Sequence, residues 1–107
     1  MQERDFQAKT IKKIERLLPG CLILKNDANY LQGILDITVF YGDRWGMLEF
    51  KKSEDSPFQP NQEYYLELLS GMSFAAVIYP SNAEEVICAL QDALTSPRRH
   101  ARVPRSQ

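Results

Sequence analysis

The sequence is poor in the residues that build zinc centres and disulfide frameworks: it has two cysteines and one histidine in 107 residues. A His/Cys zinc site is excluded by that shortage, since structural zinc takes four such ligands and the single histidine, His100, stands alone near the C-terminus. Cys21 and Cys88 both sit in apolar runs, CLIL and VICAL, where a reduced, buried thiol acting as a small hydrophobe is expected rather than a disulfide. No apolar run approaches the roughly 18 to 20 residues of a membrane span, and the opening MQERDFQAKT is too polar for a signal peptide. A cytoplasmic location follows as an expectation. Internal repeats are absent, and compositional bias is confined to the tail.

What remains has the balance of one compact globular domain, with 44% hydrophobic and 25% charged residues. A chain this short buries roughly 60 to 70% of its unfolded surface and has little stability to spare, so a polar residue directed inward needs a reason. The domain is expected over 1–96 and a basic tail over 97–107. The formal charge of -1 conceals that division: Arg98, Arg99, Arg102 and Arg105 face no acid in the tail, whereas the preceding body has nine basic and fourteen acidic residues. A basic arm of this kind suits a phosphate backbone as readily as it suits solvent.

Apolar periodicity predicts a helix over 3–18, with Phe6, Ile11, Ile14, Leu17 and Leu18 on one side and Pro19-Gly20 as its stop. A short strand, Cys21–Lys25, and a polar loop, Asn26–Gln32, come next. Ile34–Tyr41 and Gly46–Lys51 read as strands joined by the turn-forming Gly42-Asp43-Arg44-Trp45. Pro60 suits the first turn of a helix running to about Leu69 and closed by Gly71, with Tyr64, Tyr65, Leu68 and Leu69 as its core face. Ser73–Tyr79 is β-branched and aromatic. Ser81 and Glu84 then form a capping-box pattern for a last helix ending near Leu94. The order α-β-β-β-α-β-α calls for an α/β fold, a mixed β-sheet flanked by helices.

The anomaly lies in the hairpin, where three ionisable residues interrupt otherwise apolar strands. Alternation places Asp36, Thr38 and Phe40 on one face of the first strand, and Glu49 and Lys51 together on one face of the second. A two-residue loop sets Asp36 opposite Glu49; a four-residue loop sets it opposite Lys51. Either brings the three side chains to the same face. Two facing carboxylates repel and resist burial, which a hard dication such as Mg²⁺ resolves, and a neighbouring ammonium can orient or deprotonate a water or stabilise charge on a phosphate. A half-solvated hairpin with an incidental salt bridge has the same pattern. Glu3 adds to the set, because a helical wheel puts it near the apolar face of the first helix. Lys52, just beyond the site, and the amide-rich stretch containing Lys25, Asn26 and Asn29 are candidates for gripping sugar-phosphate. Trp45 is expected to pack on the core edge.

Glu3 on the first helix, then Gly33-Ile34-Leu35-Asp36, Glu49-Phe50-Lys51 and Gln62 on the next helix together resemble the PD-(D/E)XK nuclease superfamily, over about residues 3–94. The chain is most similar to its VRR-NUC-like group and the phage-encoded Holliday-junction-resolvase-like endonucleases. The resemblance implies a restriction-endonuclease-like core, αβββαβ(α), and Mg²⁺- or Mn²⁺-dependent hydrolysis of DNA phosphodiesters, structure-specific and directed at branched DNA. It implies Asp36 and Glu49 as metal ligands, the Phe50 carbonyl as a third and Glu3 as an inner- or outer-sphere partner. Lys51 becomes the catalytic lysine and Gln62 the residue that positions lysine, water or phosphate. Arg98, Arg99 and Arg102 join Lys25, Asn26, Asn29 and Lys52 as expected DNA contacts. Leu35 departs from the family pattern, which often has proline before the aspartate. A homodimer is expected on the reasoning that one site cuts one strand, and the location is host-cell cytoplasm for a phage-encoded protein. Two other functions fit the same residues: a restriction- or homing-type double-strand endonuclease, and a non-catalytic DNA-binding or assembly protein on the nuclease fold.

Overall fold

The computed structural model describes residues 2–97, and the expected tail contacts Arg98, Arg99 and Arg102 lie outside them. Helix α1 spans Glu3–Leu17 and is followed by strands β1 (Leu22–Lys25), β2 (Ile37–Tyr41) and β3 (Arg44–Phe50). Helix α2 (Gln62–Met72), strand β4 (Phe74–Ile78), a 3₁₀ turn (Pro80–Asn82) and helix α3 (Ala83–Thr95) complete the order. The sheet runs β1-β2-β3-β4, antiparallel through the first three strands and parallel between β3 and β4. This is the anticipated α/β architecture. No helix among the described residues is long and apolar enough to cross a membrane.

The hairpin takes the tighter of the two turns. Tyr41 pairs with Arg44 and Ile37 with Leu48, so the loop is Gly42-Asp43 alone, and Arg44 and Trp45 belong to β3. Gly42 has φ +63°, the positive angle that a type II′ turn needs at its first central position and that glycine adopts without strain. Trp45 is half-buried and faces Phe40 across the strands.

Ile37, Val39, Leu48, Phe50 and Ile78 project from one face of the sheet into a core closed by Phe6, Ile14 and Leu18 of α1 and Ile87, Leu90 and Leu94 of α3. Gly46 lets α3 come close: a Cβ there would stand 2.9 Å from Leu90 Cδ1. α2 packs mainly along β4 on the opposite face. Its coverage is partial, which corrects the expected core face. Leu69 is buried, but Tyr64 is 62% exposed and Leu68 and Met72 are also open to solvent.

Four further expectations are revised. On α1 the inward stripe is Phe6, Thr10, Ile14 and Leu18, with Ile11 half-buried and Leu17 exposed, because 17 falls at the edge of the face defined by 10, 14 and 18. Cys88 is exposed and Cys21 half-buried; on α3 the core positions 87, 90 and 94 turn residue 88 outward. The Ser81 capping box does not form. Residues 80–82 make the 3₁₀ turn, and Asn82 accepts from the Tyr79 N–H through Oδ1 and donates to the Val77 carbonyl through Nδ2. α2 starts two residues after Pro60, runs through Gly71 and follows Asn61 in the left-handed region at φ 71°.

Candidate active site

The ladder pairs Ile37 with Leu48, so Asp36, just before β2, lies across from Glu49. Their side chains emerge on the face away from the main core, into a cleft of about 440 Å³ that Glu3, Lys51 and Gln62 also line. Five residues from four separate stretches of chain therefore meet at one place, the end of β3. α1 reaches it because Phe6 packs edge-on against Phe50, with centroids 5.7 Å apart and an interplanar angle of 83°.

The hydrogen bonds are closely specified. Asp36 Oδ2 accepts from the Phe50 N–H at 2.8 Å, tying the loop before β2 to β3. Gln62 Nε2 donates to Glu49 Oε2 at 2.7 Å, while Gln62 Oε1 accepts from Lys51 Nζ at 2.9 Å and from the Gln59 N–H at 2.8 Å. These donors fix which way the amide points. Lys51 Nζ also donates to the Pro57 carbonyl at 3.0 Å, lies 3.5 Å from Glu49 Oε2 and stands 5.6 Å from the centre of the Phe58 ring. Three acceptors thus match the three protons of an ammonium group.

Glu49 Oε1 is the exception: it is buried and has no hydrogen-bond partner. Glu49 itself is 5% exposed, and burial together with the charge of Asp36 pushes its carboxyl up to about 7, against the hydrogen bond from Gln62 and the charge of Lys51. Burial also raises Asp36, opposed by the Phe50 N–H, by Lys51 and by the facing Glu49 carboxyl, with which a proton can be shared. A carboxylate held dry beside another carboxylate, with one oxygen unused, is under electrostatic tension that a cation relieves. Among the described residues, no three His, Cys, Asp or Glu side chains gather tightly enough to form a metal cluster; Glu3 is exposed and borders the cleft rather than joining the pair. Two carboxylate oxygens with water filling the other positions is a donor set that suits Mg²⁺ or Mn²⁺.

The other expected contacts divide. Asn29 lines the cleft, whereas Lys52, exposed and next in sequence to Lys51, does not. Lys25 is exposed at the end of β1 and does not line the cleft. Asn26 is half-buried and makes hydrogen bonds within the chain: Nδ2 donates to the Leu35 carbonyl at 2.8 Å and Oδ1 accepts from the Thr38 hydroxyl at 3.1 Å. That amide braces the approach to Asp36.

Sequence reasoning missed the clasp at the rim of the cleft. Gly33, at φ +95°, is packed so closely on the turn before α2 that an added Cβ would lie 2.5 Å from Asn61 Cβ and 2.7 Å from the Pro60 carbonyl oxygen. Asn61 Nδ2 approaches the Gln32 carbonyl at 3.5 Å. The two segments that flank the acids are held together there, and Gln32 and Gln59 face the cleft beside them. The only local signal was a glycine between a polar loop and a strand. Compared with models of known families, with curated proteins and with solved structures, the chain matches none.

Proposed function

We propose that the protein is a Mg²⁺- or Mn²⁺-dependent endonuclease of the PD-(D/E)XK type that hydrolyses DNA phosphodiesters, with branched DNA as its substrate class and a homodimer as its working form. The observation that carries this reading is the unpartnered, buried Glu49 Oε1 across from Asp36, with Lys51 3.5 Å from the other Glu49 oxygen. A structural salt bridge has no use for an orphaned carboxylate oxygen directed into dry surroundings, whereas a metal ligand does.

In this reading Asp36 and Glu49 hold the ion, the Phe50 carbonyl supplements them, and Glu3 acts from the margin of the cleft. The ion, when bound, makes water acidic enough to attack at neutral pH and offsets negative charge on the phosphate. Lys51 is an electrostatic element: its protons are already committed to Pro57, Gln62 and Glu49, so it stabilises charge gained by the phosphate rather than removing a proton from water. Gln62 is a positioning residue that sets Glu49 and Lys51 relative to each other. The test is incubation with four-way, flap, single-stranded and duplex DNA in Mg²⁺ and in EDTA. Metal-dependent cleavage that favours the four-way or flap form is expected, lost in Glu49→Ala and in Lys51→Ala proteins that remain folded. Cleavage surviving either substitution refutes the assignment.

A further inference from the structure

The body of the chain is acidic, yet five of the nine basic residues in 1–97 stand on α1: Arg4, Lys9, Lys12, Lys13 and Arg16. Three of them, Lys9, Lys13 and Arg16, border a groove of about 270 Å³ between α1 and the start of α3, floored by Phe6, Ala83 and Ile87. Within the described residues none of the three is paired with a carboxylate. Fourteen acids were available in the sequence, and Lys13 is half-buried; unpaired cations gathered around an apolar floor fit a polyanion with apolar faces.

We propose that this groove carries the sugar-phosphate backbone of the DNA strand running away from the candidate active site, an inference that rests on the nuclease reading. Continuity favours DNA over an acidic peptide. Glu3, on the first turn of α1, lines the catalytic cleft, and Phe6, one turn later, floors the groove while packing on Phe50 of the catalytic strand. The spacing fits as well. Lys9 to Arg16 is a rise of about 10 Å at roughly 1.5 Å per residue, close to three nucleotides at about 3.4 Å of axial rise each. Deoxyribose faces rest on the exposed Pro80 and the half-buried Ala83, above the buried Phe6 and Ile87, and phosphates meet the cationic rim.

The experiment is fluorescence anisotropy with a labelled four-way junction and a labelled single strand over a NaCl series, with Ca²⁺ in place of Mg²⁺ to limit cleavage. The variant Lys9→Gln/Lys13→Gln/Arg16→Gln keeps the side-chain stems and removes the charges. Each phosphate contact contributes about 0.7 to 0.9 to the slope of log affinity against log salt, so the triple variant is expected to lower that slope by about 2 and to weaken binding about tenfold or more. Lys12→Gln, on the same helix but away from the groove, leaves the slope as it was. Mn²⁺ binding followed by electron paramagnetic resonance is unchanged in the triple variant. A wild type that cleaves DNA alongside a triple variant with unaltered slope overturns the groove assignment and leaves the nuclease reading standing. An effect from Lys12→Gln equal to its share of the triple loss overturns it too, as does a Leu/Glu-rich peptide that the triple variant ceases to bind while its DNA slope holds. A wild type that neither binds nor cleaves any of the DNA forms overturns both.

Discussion

Glu49→Gln makes the sharpest test of the site's electrostatics, because its effect on stability has the opposite sign to that of an ordinary buried substitution. The folded carboxyl keeps its proton up to about pH 7, whereas its ordinary value is 4.5. Between those values the folded state binds more protons than the unfolded state, so stability falls as pH rises through this window. Asp36, raised in the same direction, adds to the slope. At about 1.4 kcal/mol per pH unit, the Glu49 contribution reaches at most about 3 kcal/mol of lost stability once both states are ionised. Glutamine removes the charge but keeps an oxygen to accept from Gln62 Nε2, and its amide gives the position of the orphaned oxygen a donor directed toward Asp36. Urea denaturation in EDTA from pH 4.5 to 8 is therefore expected to show the variant gaining on the wild type as pH rises, by about 1–3 kcal/mol at pH 8. Titrating groups away from the Glu49–Asp36 pair cancel in the difference. Mg²⁺ is expected to restore the wild type, by about 2.7 kcal/mol at a hundredfold excess over Kd, and to leave the variant unmoved. A difference that stays flat with pH, or Mg²⁺ stabilising both proteins equally, refutes the reasoning.

Period-2 alternation made the site legible as far as it could. Asp36, Glu49 and Lys51 have no apolar role in their strands, and even-length turns leave them on one face whichever loop forms, so the constellation was readable before the register was. The register itself depended on Gly42, where a positive φ makes the two-residue turn the easier one. The helices were less legible at their margins. Leu17 and Cys88 are apolar residues in amphipathic helices, but exposure at a face's edge depends on what lies opposite, and a wheel does not contain that. α2 was misread for a related reason: Tyr64 and Leu68 look like core, yet α2 meets only the β4 side of the sheet and leaves them outside. Asn26 and Gly33 were hardest, since an amide brace to Leu35 and Thr38 and a close approach of Gly33 to Asn61 are contacts between segments far apart in sequence.

Three further outcomes follow from the same geometry. Lys51→Met keeps the stem but strips donors from the Pro57 carbonyl and Gln62 Oε1; about 1–3 kcal/mol of stability should go, with faster hydrogen exchange at amides in 52–59, and an unchanged exchange pattern would show that Lys51 does not secure that loop. Phe6→Ala removes a buried ring from both the core and Phe50, at about 3–5 kcal/mol, and should lower Mn²⁺ affinity by loosening the Phe50 N–H held by Asp36; destabilisation with unchanged Mn²⁺ affinity would detach α1 from the site. Gly33→Ala tests the clasp. Alanine at φ +95° is strained by roughly 1–2 kcal/mol, and its Cβ collides with Asn61 Cβ and with backbone atoms of Asn61 and Pro60 at 2.5–2.7 Å, so the total should exceed about 3 kcal/mol and Tm should fall by more than about 10 °C. Asn61→Gly distinguishes the two sources of the clash. Alone it relieves a left-handed residue, φ 71°, and should be neutral or stabilising by up to about 1 kcal/mol; combined with Gly33→Ala it removes the side-chain collision but not the backbone one. The double variant is therefore expected to stay far below wild type in thermal stability and in Mn²⁺ affinity, because the backbones of the two segments have to touch for Asp36 and Gln62 to face the same cleft. Full recovery in the double variant would mean that a side chain, and not the backbone approach, sets the width of the site.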